Sequence, residues 1–131
     1  MIVIDSSALV AIALSEPECD EFIDILIAAE ELLISSVSVV EARMVMHGRK
    51  GQQGTIRLND ILRIYDFKVR APGVAEADLA SEAFVKYGKG SGHPAQLNLG
   101  DLFSYALARN VDAPLLYKGG DFARTDVISA R

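Results

Sequence analysis

The chain has one cysteine, Cys19, so no internal disulfide can form and a reducing compartment fits. No stretch of about eighteen apolar residues suggests a membrane span. The first residues lack the basic region and long apolar run of a signal peptide, so a cytoplasmic location and no membrane contact are expected. Positive charge is in the minority: 13 lysines and arginines face 18 aspartates and glutamates, a net charge of −5. That balance argues against non-specific binding to nucleic acid by overall charge. It leaves room for a local basic patch, or for metal ions that change the sign of a site. Internal repeats, low-complexity segments and long linkers are absent too. What is present is 131 residues, 50% hydrophobic and 24% charged. That composition and length predict one globular domain with a full core, residues 1–131.

The first informative stretch is Ile2-Val3-Ile4-Asp5-Ser6-Ser7-Ala8-Leu9. Three β-branched residues read as a short strand buried on both faces. A helix-favouring run, Ala8 to Leu14, follows. Asp5 would then stand at the carboxyl edge of a sheet, where open α/β folds bind ligands. Asp5 or Ser6 can equally cap the helix, and this stretch alone leaves both roles open.

Further on, Pro17 suits a first helical turn, and Phe22, Ile25, Leu26 and Ala29 recur at helical spacing. Leu32-Leu33-Ile34 reads as a second buried strand. Ser38-Val39-Val40-Glu41 fits a capping box, opening a helix expected to run to His47 and stop at Gly48. Another helix carries Leu58, Ile61, Leu62 and Tyr65 on one face. Phe67-Lys68-Val69 reads as a third strand, and Ala80, Ala83, Phe84 and Tyr87 as one face of the next helix. Gly88 to Pro94 is the most loop-like segment. Asn98-Leu99-Gly100-Asp101 opens a helix whose expected buried face is Leu99, Leu102, Phe103 and Ala106. Ala113 to Tyr117 reads as a fourth strand with Pro114 near its start, and Val127-Ile128 as a short last one. Alternating strands and helices predict an α/β fold, a parallel sheet with helices on both faces.

Four acids fall at strand carboxyl ends or in first helical turns: Asp5, Glu41, Asp101 and Asp121. Strand carboxyl ends of a parallel sheet share one edge, so these side chains are expected to meet in one cleft. Each has a structural alternative. Glu41 completes a capping box, Asp101 suits its helix dipole, and Asp121 follows two glycines in a turn. The joint placement is the signal. Carboxylates crowded together raise each other's pKa values and destabilise the fold. Hard divalent cations, Mg²⁺ or Mn²⁺, resolve this because they take oxygen ligands. Such a site binds phosphate esters and activates water without histidine, which suits a chain with only His47 and His93.

The order Ile-Asp-Ser-Ser-Ala-Leu, Ser-Val-Val-Glu, Leu-Gly-Asp-Leu-Phe-Ser-Tyr-Ala-Leu-Ala and Gly-Gly-Asp-Phe-Ala-Arg-Thr-Asp-Val resembles the PIN-domain ribonucleases. More narrowly it is similar to the VapC toxins of bacterial toxin–antitoxin pairs, over Ile2 to about Ile128. The resemblance implies a PIN-like three-layer sandwich with a sheet of about five parallel strands. It also implies a Mg²⁺- or Mn²⁺-dependent endoribonuclease. It carries the catalytic and metal-binding set onto Asp5, Glu41, Asp101 and Asp121, with Asp5 and Asp101 as direct ligands. Glu41 and Asp121 would act through water or hold a second ion. In the family an asparagine often precedes the last aspartate, and here Gly120 stands in its place. Two protein partners are implied, a second copy of the chain and a VapB-like antitoxin that blocks the cleft.

The expected reaction is hydrolysis of an RNA phosphodiester, leaving a 5′-phosphate and a 3′-hydroxyl. RNA needs cations near the cleft. The candidates are Arg43, Arg49, Lys50, Lys89, Arg109, Lys118 and Arg124, with Ser7, Arg43 and Lys118 as the substrate-binding set. His93 is expected to fix its loop and Asp126 to make structural hydrogen bonds. Apolar surface for partners is expected around Val45-Met46 and on the Leu58–Tyr65 face. Three rivals stand against this reading. A haloacid-dehalogenase-type phosphotransferase needs a second aspartate where Ser7 stands, and a response-regulator receiver needs one after Phe67-Lys68-Val69. The third is a PIN-like binding module without catalysis.

Overall fold

Alternate residues of three of the four strands enter different cores, and that alternation builds the three layers. The computed structural model describes residues 1–131. Four parallel strands, β1 (Ile2–Ile4), β2 (Leu32–Ser35), β3 (Lys68–Arg70) and β4 (Leu115–Leu116), lie in the order β3-β2-β1-β4. Successive side chains on a strand point to opposite faces. Accordingly Ile4, Ile34 and Leu116 join one core with helices α1 (Ser6–Ala13), α2 (Cys19–Ala28) and α3 (Ser36–Ile64). Val3, Leu33 and Leu115 join the other, with α4 (Val74–Tyr87) and α5 (Leu99–Asn110). The expected α/β sandwich with helices on both faces is therefore what the chain forms.

The chain runs from β1 outward through β2 to β3, then returns to β4 on the other side of β1. The strand order thus reverses at β1, and a crevice at the carboxyl ends of such strands is the usual ligand position. Asp5 is the residue that leaves β1 at this point.

Several boundaries differ from the sequence expectations. The sheet has four strands rather than five: Val127-Ile128 forms no strand, and only Ser129 bridges to Leu115. The segment meets β4 only through this bridge, where Leu115 N donates to Ile128 O at 2.8 Å and Ala130 N donates to Leu115 O at 2.9 Å; just ahead of it the chain is still turning, with Thr125 Oγ1 accepting from Val127 N at 3.3 Å. The third helix does not stop at Gly48. Its break is at Gly51, where φ +63° and ψ −150° suit glycine and interrupt the helix. Its cap is Ser35, whose hydroxyl accepts from Val37 N at 3.2 Å, and not Ser38. Phe84 and Leu99, expected inside, are 51% and 70% exposed, because α4 and α5 pack on each other through Ala80, Ala83 and Leu102 and leave a groove beside them. Met46, Leu58, Ile61 and Leu62, expected as partner surface, are core residues instead.

Candidate active site

Asp5 ends β1 and caps α1 in the same gesture. Its Oδ2 accepts from Ser7 N at 3.0 Å and from Ser7 Oγ at 2.6 Å, while Oδ1 accepts from Ser104 Oγ at 2.6 Å. Capping and a site role, left open by the sequence, are therefore compatible. A carboxylate offers about four acceptor positions, so three hydrogen bonds leave room for one more partner. Although 1% exposed, Asp5 lines an open cavity of ≈ 500 Å³ together with Ser6, Ser7, Glu41, Asn98, Asp101 and Lys118.

Glu41 reaches this cavity from α3. With the cap at Ser35, Glu41 stands more than a turn inside the helix and forms no capping box. Its Oε1 instead accepts from Ser6 Oγ. Its carboxylate also lies against Gly100: a Cβ there would come within 2.2 Å of Glu41 Oε2. Glycine lets Glu41 keep this position against the start of α5.

Asp101 sits in the first turn of α5, in a true capping box with Asn98. Asn98 N donates to its Oδ2 at 3.0 Å, and Asp101 N donates to Asn98 Oδ1 at 2.9 Å. Burial pushes the Asp101 carboxyl up to about 7, against the Asn98 hydrogen bond, with the charges of Asp5, Glu41 and Asp121 adding to the rise. Asp121 lies at the head of the short 3₁₀ turn Phe122–Arg124; it is exposed and does not line the cavity, but its charge is felt at Asp101. So three of the four expected acids share one cavity, and the fourth lies outside its lining and acts on Asp101 through its charge.

The cavity holds one cation, and that cation is engaged. Lys118 Nζ donates to Glu16 and lies 3.1 Å from Glu18 Oε2, and its backbone N donates to Ser7 Oγ at 3.0 Å. Ser7 lines the cavity, but its hydroxyl is committed between Asp5 and Lys118. Arg43 is not brought to the site; its Nε donates to Asn59 Oδ1 at 3.0 Å on the exposed side of α3. Of the other basic candidates, Arg109 pairs with Asp126 at 2.6 Å and Arg124 donates to Pro94 O at 3.0 Å. Arg49, Lys50 and Lys89 are exposed without ion pairs.

His93 fixes its loop as expected, with Nδ1 accepting from Ala95 N at 3.0 Å. Asp126 is structural as expected, accepting from Tyr105 Oη at 2.6 Å as well as from Arg109. Sequence reasoning missed Glu16, Ser38 and Ser104. Glu16 lines the cavity, and Ser104 joins Asp5 to Ser38. None of the three carries a local signal, because each meets its partner across 66 to 102 residues of chain.

The donor set suits a divalent cation. Four carboxylates, Asp5, Glu16, Glu41 and Asp101, line one cavity, and its only cation, Lys118, is held by Glu16 and by Glu18. No three acidic, histidine or cysteine side chains close around one point. The acidic lining fits a hydrated Mg²⁺ or Mn²⁺, which keeps several waters and takes one or two carboxylates directly.

The chain matches the PIN domain family over residues 2–128. It is 41% identical to ribonuclease VapC30 and 37% identical to ribonuclease VapC42, both of Mycobacterium tuberculosis, in each case over 95% of both chains. By structure it is similar to the sarcin–ricin-loop-cleaving toxin VapC20 of Mycobacterium tuberculosis, with a TM-score of 0.81, 16% identity and 100% and 99% of the two chains covered. It is also similar to VapBC2 of Rickettsia felis, solved on a DNA fragment from its promoter, with a TM-score of 0.76, 17% identity and 98% and 96% covered. Fold, acidic cavity and sequence agree, and the chain belongs to the PIN-domain family, within its VapC ribonuclease group.

Proposed function

We propose that this chain is a metal-dependent endoribonuclease toxin that hydrolyses RNA phosphodiester bonds and is neutralised by a VapB-like antitoxin. The observation that carries this is the meeting of Asp5, Glu41 and Asp101, from three separate elements, in one cavity with no free cation. Kinship with the VapC ribonucleases supports the substrate class. The single domain spans residues 1–131 and acts in the cytoplasm.

Asp5 and Asp101 would hold Mg²⁺ or Mn²⁺, with Glu41 and Asp121 acting through water. When bound, the ion polarises the phosphate and lowers the pKa of a coordinated water. Glu41, tied to Ser6 on one oxygen, keeps the other to orient a water or accept its proton. Asp101 keeps Oδ1 outside its capping box. Lys118 is the cation assigned to the RNA phosphate; an RNA strand must draw it from Glu16 and Glu18. Ser7 supports this role through its bond to Lys118 N. Arg43 would serve as a distal contact to RNA lying along α3. A second copy of the chain is assigned to the apolar groove between α4 and α5, where Phe84, Val85, Leu99 and Phe103 line the surface.

The test is cleavage of a mixed RNA pool by antitoxin-free protein with Mg²⁺, Mn²⁺ or EDTA, beside Asp5→Asn and Asp101→Asn. Metal-dependent cuts that both substitutions abolish are expected. Cuts that survive EDTA and both substitutions would sink the assignment. Folded protein that cuts nothing under any metal would point to a very narrow target or to a non-catalytic binding module.

A further inference from the structure

Asp5 is held from beneath as well as from the side. Ser38 and Ser104 are both fully buried where α3 crosses α5 under the cavity. Ser104 Oγ lies 2.6 Å from Asp5 Oδ1 and 2.9 Å from Ser38 Oγ. Each serine has one hydroxyl proton, and a carboxylate only accepts. Ser104 must therefore give its proton to Asp5, so Ser38 is the donor within the serine pair. The chain of donation runs from Ser38 to Ser104 to Asp5.

Placement gives this chain its meaning. Ser38 is three residues before Glu41 on α3, and Ser104 is three residues after Asp101 on α5. Residues three apart share a helix face. The two hydroxyls thus lie beneath the helix faces that deliver two of the carboxylates, and they bond to the third. Buried serines in helices commonly return their proton to the backbone four residues earlier. Here Ser104 is aimed across the sheet edge at a residue 99 positions away. A hydrogen-bond chain of this kind also polarises its members in sequence.

We propose that Ser104, backed by Ser38, is a positioning residue that holds the Asp5 carboxylate in the orientation in which it takes a divalent cation. This rests on the reading of Asp5 as a metal ligand. Groups that orient metal ligands typically change metal affinity by roughly 10–100-fold when removed.

The test is Mn²⁺ binding to RNA-free protein, read from the free-Mn²⁺ paramagnetic resonance signal, with melting temperature measured in parallel. Ser104→Ala is expected to weaken Mn²⁺ binding by roughly 10–100-fold. Ser38→Ala should weaken it by a smaller, resolvable factor, and Ser104→Thr, which keeps the donor, should retain most of it. The double variant Ser38→Ala, Ser104→Ala leaves no hydroxyl orphaned. It should melt closer to the wild type than Ser104→Ala does, yet bind Mn²⁺ no better, a split that a purely structural role would not produce. Should Ser104→Ala fail to fold, Ser38→Ala decides, and wild-type affinity there would overturn the inference. Wild-type affinity in folded Ser104→Ala, with binding lost in Asp5→Asn, would overturn it while leaving the proposed function intact. Equal binding by wild type and Asp5→Asn would instead remove the ligand role of Asp5, and this inference with it.

Discussion

Helix α5 presents two aspartate environments that behave in opposite ways. At its first turn, Asp101 shares a cavity with Asp5 and Glu41, and its carboxyl is pushed up to about 7 by burial first and by like charges after it. Farther along, Tyr105 and Arg109 hold Asp126. Burial pushes that carboxyl up too, but the Tyr105 hydroxyl and the Arg109 guanidinium outweigh it and keep Asp126 below the usual carboxylate range. Both acids carry the same group on the same side of the sheet. The difference lies in compensation: the protein gives Asp126 a hydroxyl and a guanidinium, and gives Asp101 only the Asn98 amide and no cation. An acid satisfied within the chain is a structural element, whereas acids left crowded and unpaired mark a place for an external cation.

The comparison breaks most clearly in catalysis. Asp5→Asn or Asp101→Asn should lower metal-dependent RNA cleavage by more than about 100-fold, beyond the usual effect of losing a group that only orients a ligand. Asp126→Asn should leave the cleavage rate within about a factor of three, since it touches no cavity residue. Equal losses at Asp101 and Asp126 would erase the distinction between them.

Gly100→Ala sharpens it next. The added methyl would stand 2.2 Å from Glu41 Oε2, so the flexible carboxylate must move while the backbone stays. Alanine favours a helix over glycine by up to about 1 kcal/mol, so the fold should tolerate the change. Cleavage should fall by up to about 100-fold, because small displacements of catalytic groups are that costly. Activity at the wild-type level would show that the position of Glu41 is unimportant.

Stability should separate the two acids in sign. The folded-state pKa of Asp101 is raised, so the folded protein binds more protons than the unfolded chain between the ordinary carboxylate range and about 7. Stability of metal-free protein is therefore lost as pH rises through that window. Asp101→Asn keeps an oxygen for the Asn98 capping bond and removes the charge, so in EDTA at neutral pH it should melt several degrees higher. Asp126 behaves conversely. Its folded pKa is depressed, so its contribution is present above the unfolded carboxylate value and is lost as pH falls through the lower folded one. Tyr105→Phe should destabilise by about 1 kcal/mol, a figure kept small because the Arg109–Asp126 pair is partly exposed. Urea melts at pH 3 and pH 7 with EDTA would check both signs.

Much of this was readable from the chain itself. Ile2-Val3-Ile4-Asp5 announced the first strand and the acid at its end, and the alternation of strands and helices set the sandwich. Asp101 could be placed because Asn98-Leu99-Gly100-Asp101 reads as a helix start, which the structure closes as a capping box. What escaped was what the chain meets at a distance. Ser38 looked like a helix cap from local spacing, but β2 ends at Ser35, and that residue takes the cap. This freed Ser38 to reach Ser104, 66 residues on. Gly48 looked like a stop, yet a glycine inside a helix is tolerable, and the bend falls at Gly51. Lys118 looked like a free cation, and only the fold shows Glu16 and Glu18 around it, about a hundred residues earlier in the chain.

The central claim is that the unpaired carboxylates stand for a divalent cation. The most direct measurement is the melting temperature of wild type, Asp5→Asn and Asp126→Asn at neutral pH, in EDTA and in millimolar Mg²⁺ or Mn²⁺. An ion that binds only the folded state raises the melting temperature. A rise is expected for wild type and Asp126→Asn, and little or none for Asp5→Asn. A melting temperature indifferent to both metals in wild type, or an equal rise in all three proteins, would contradict it.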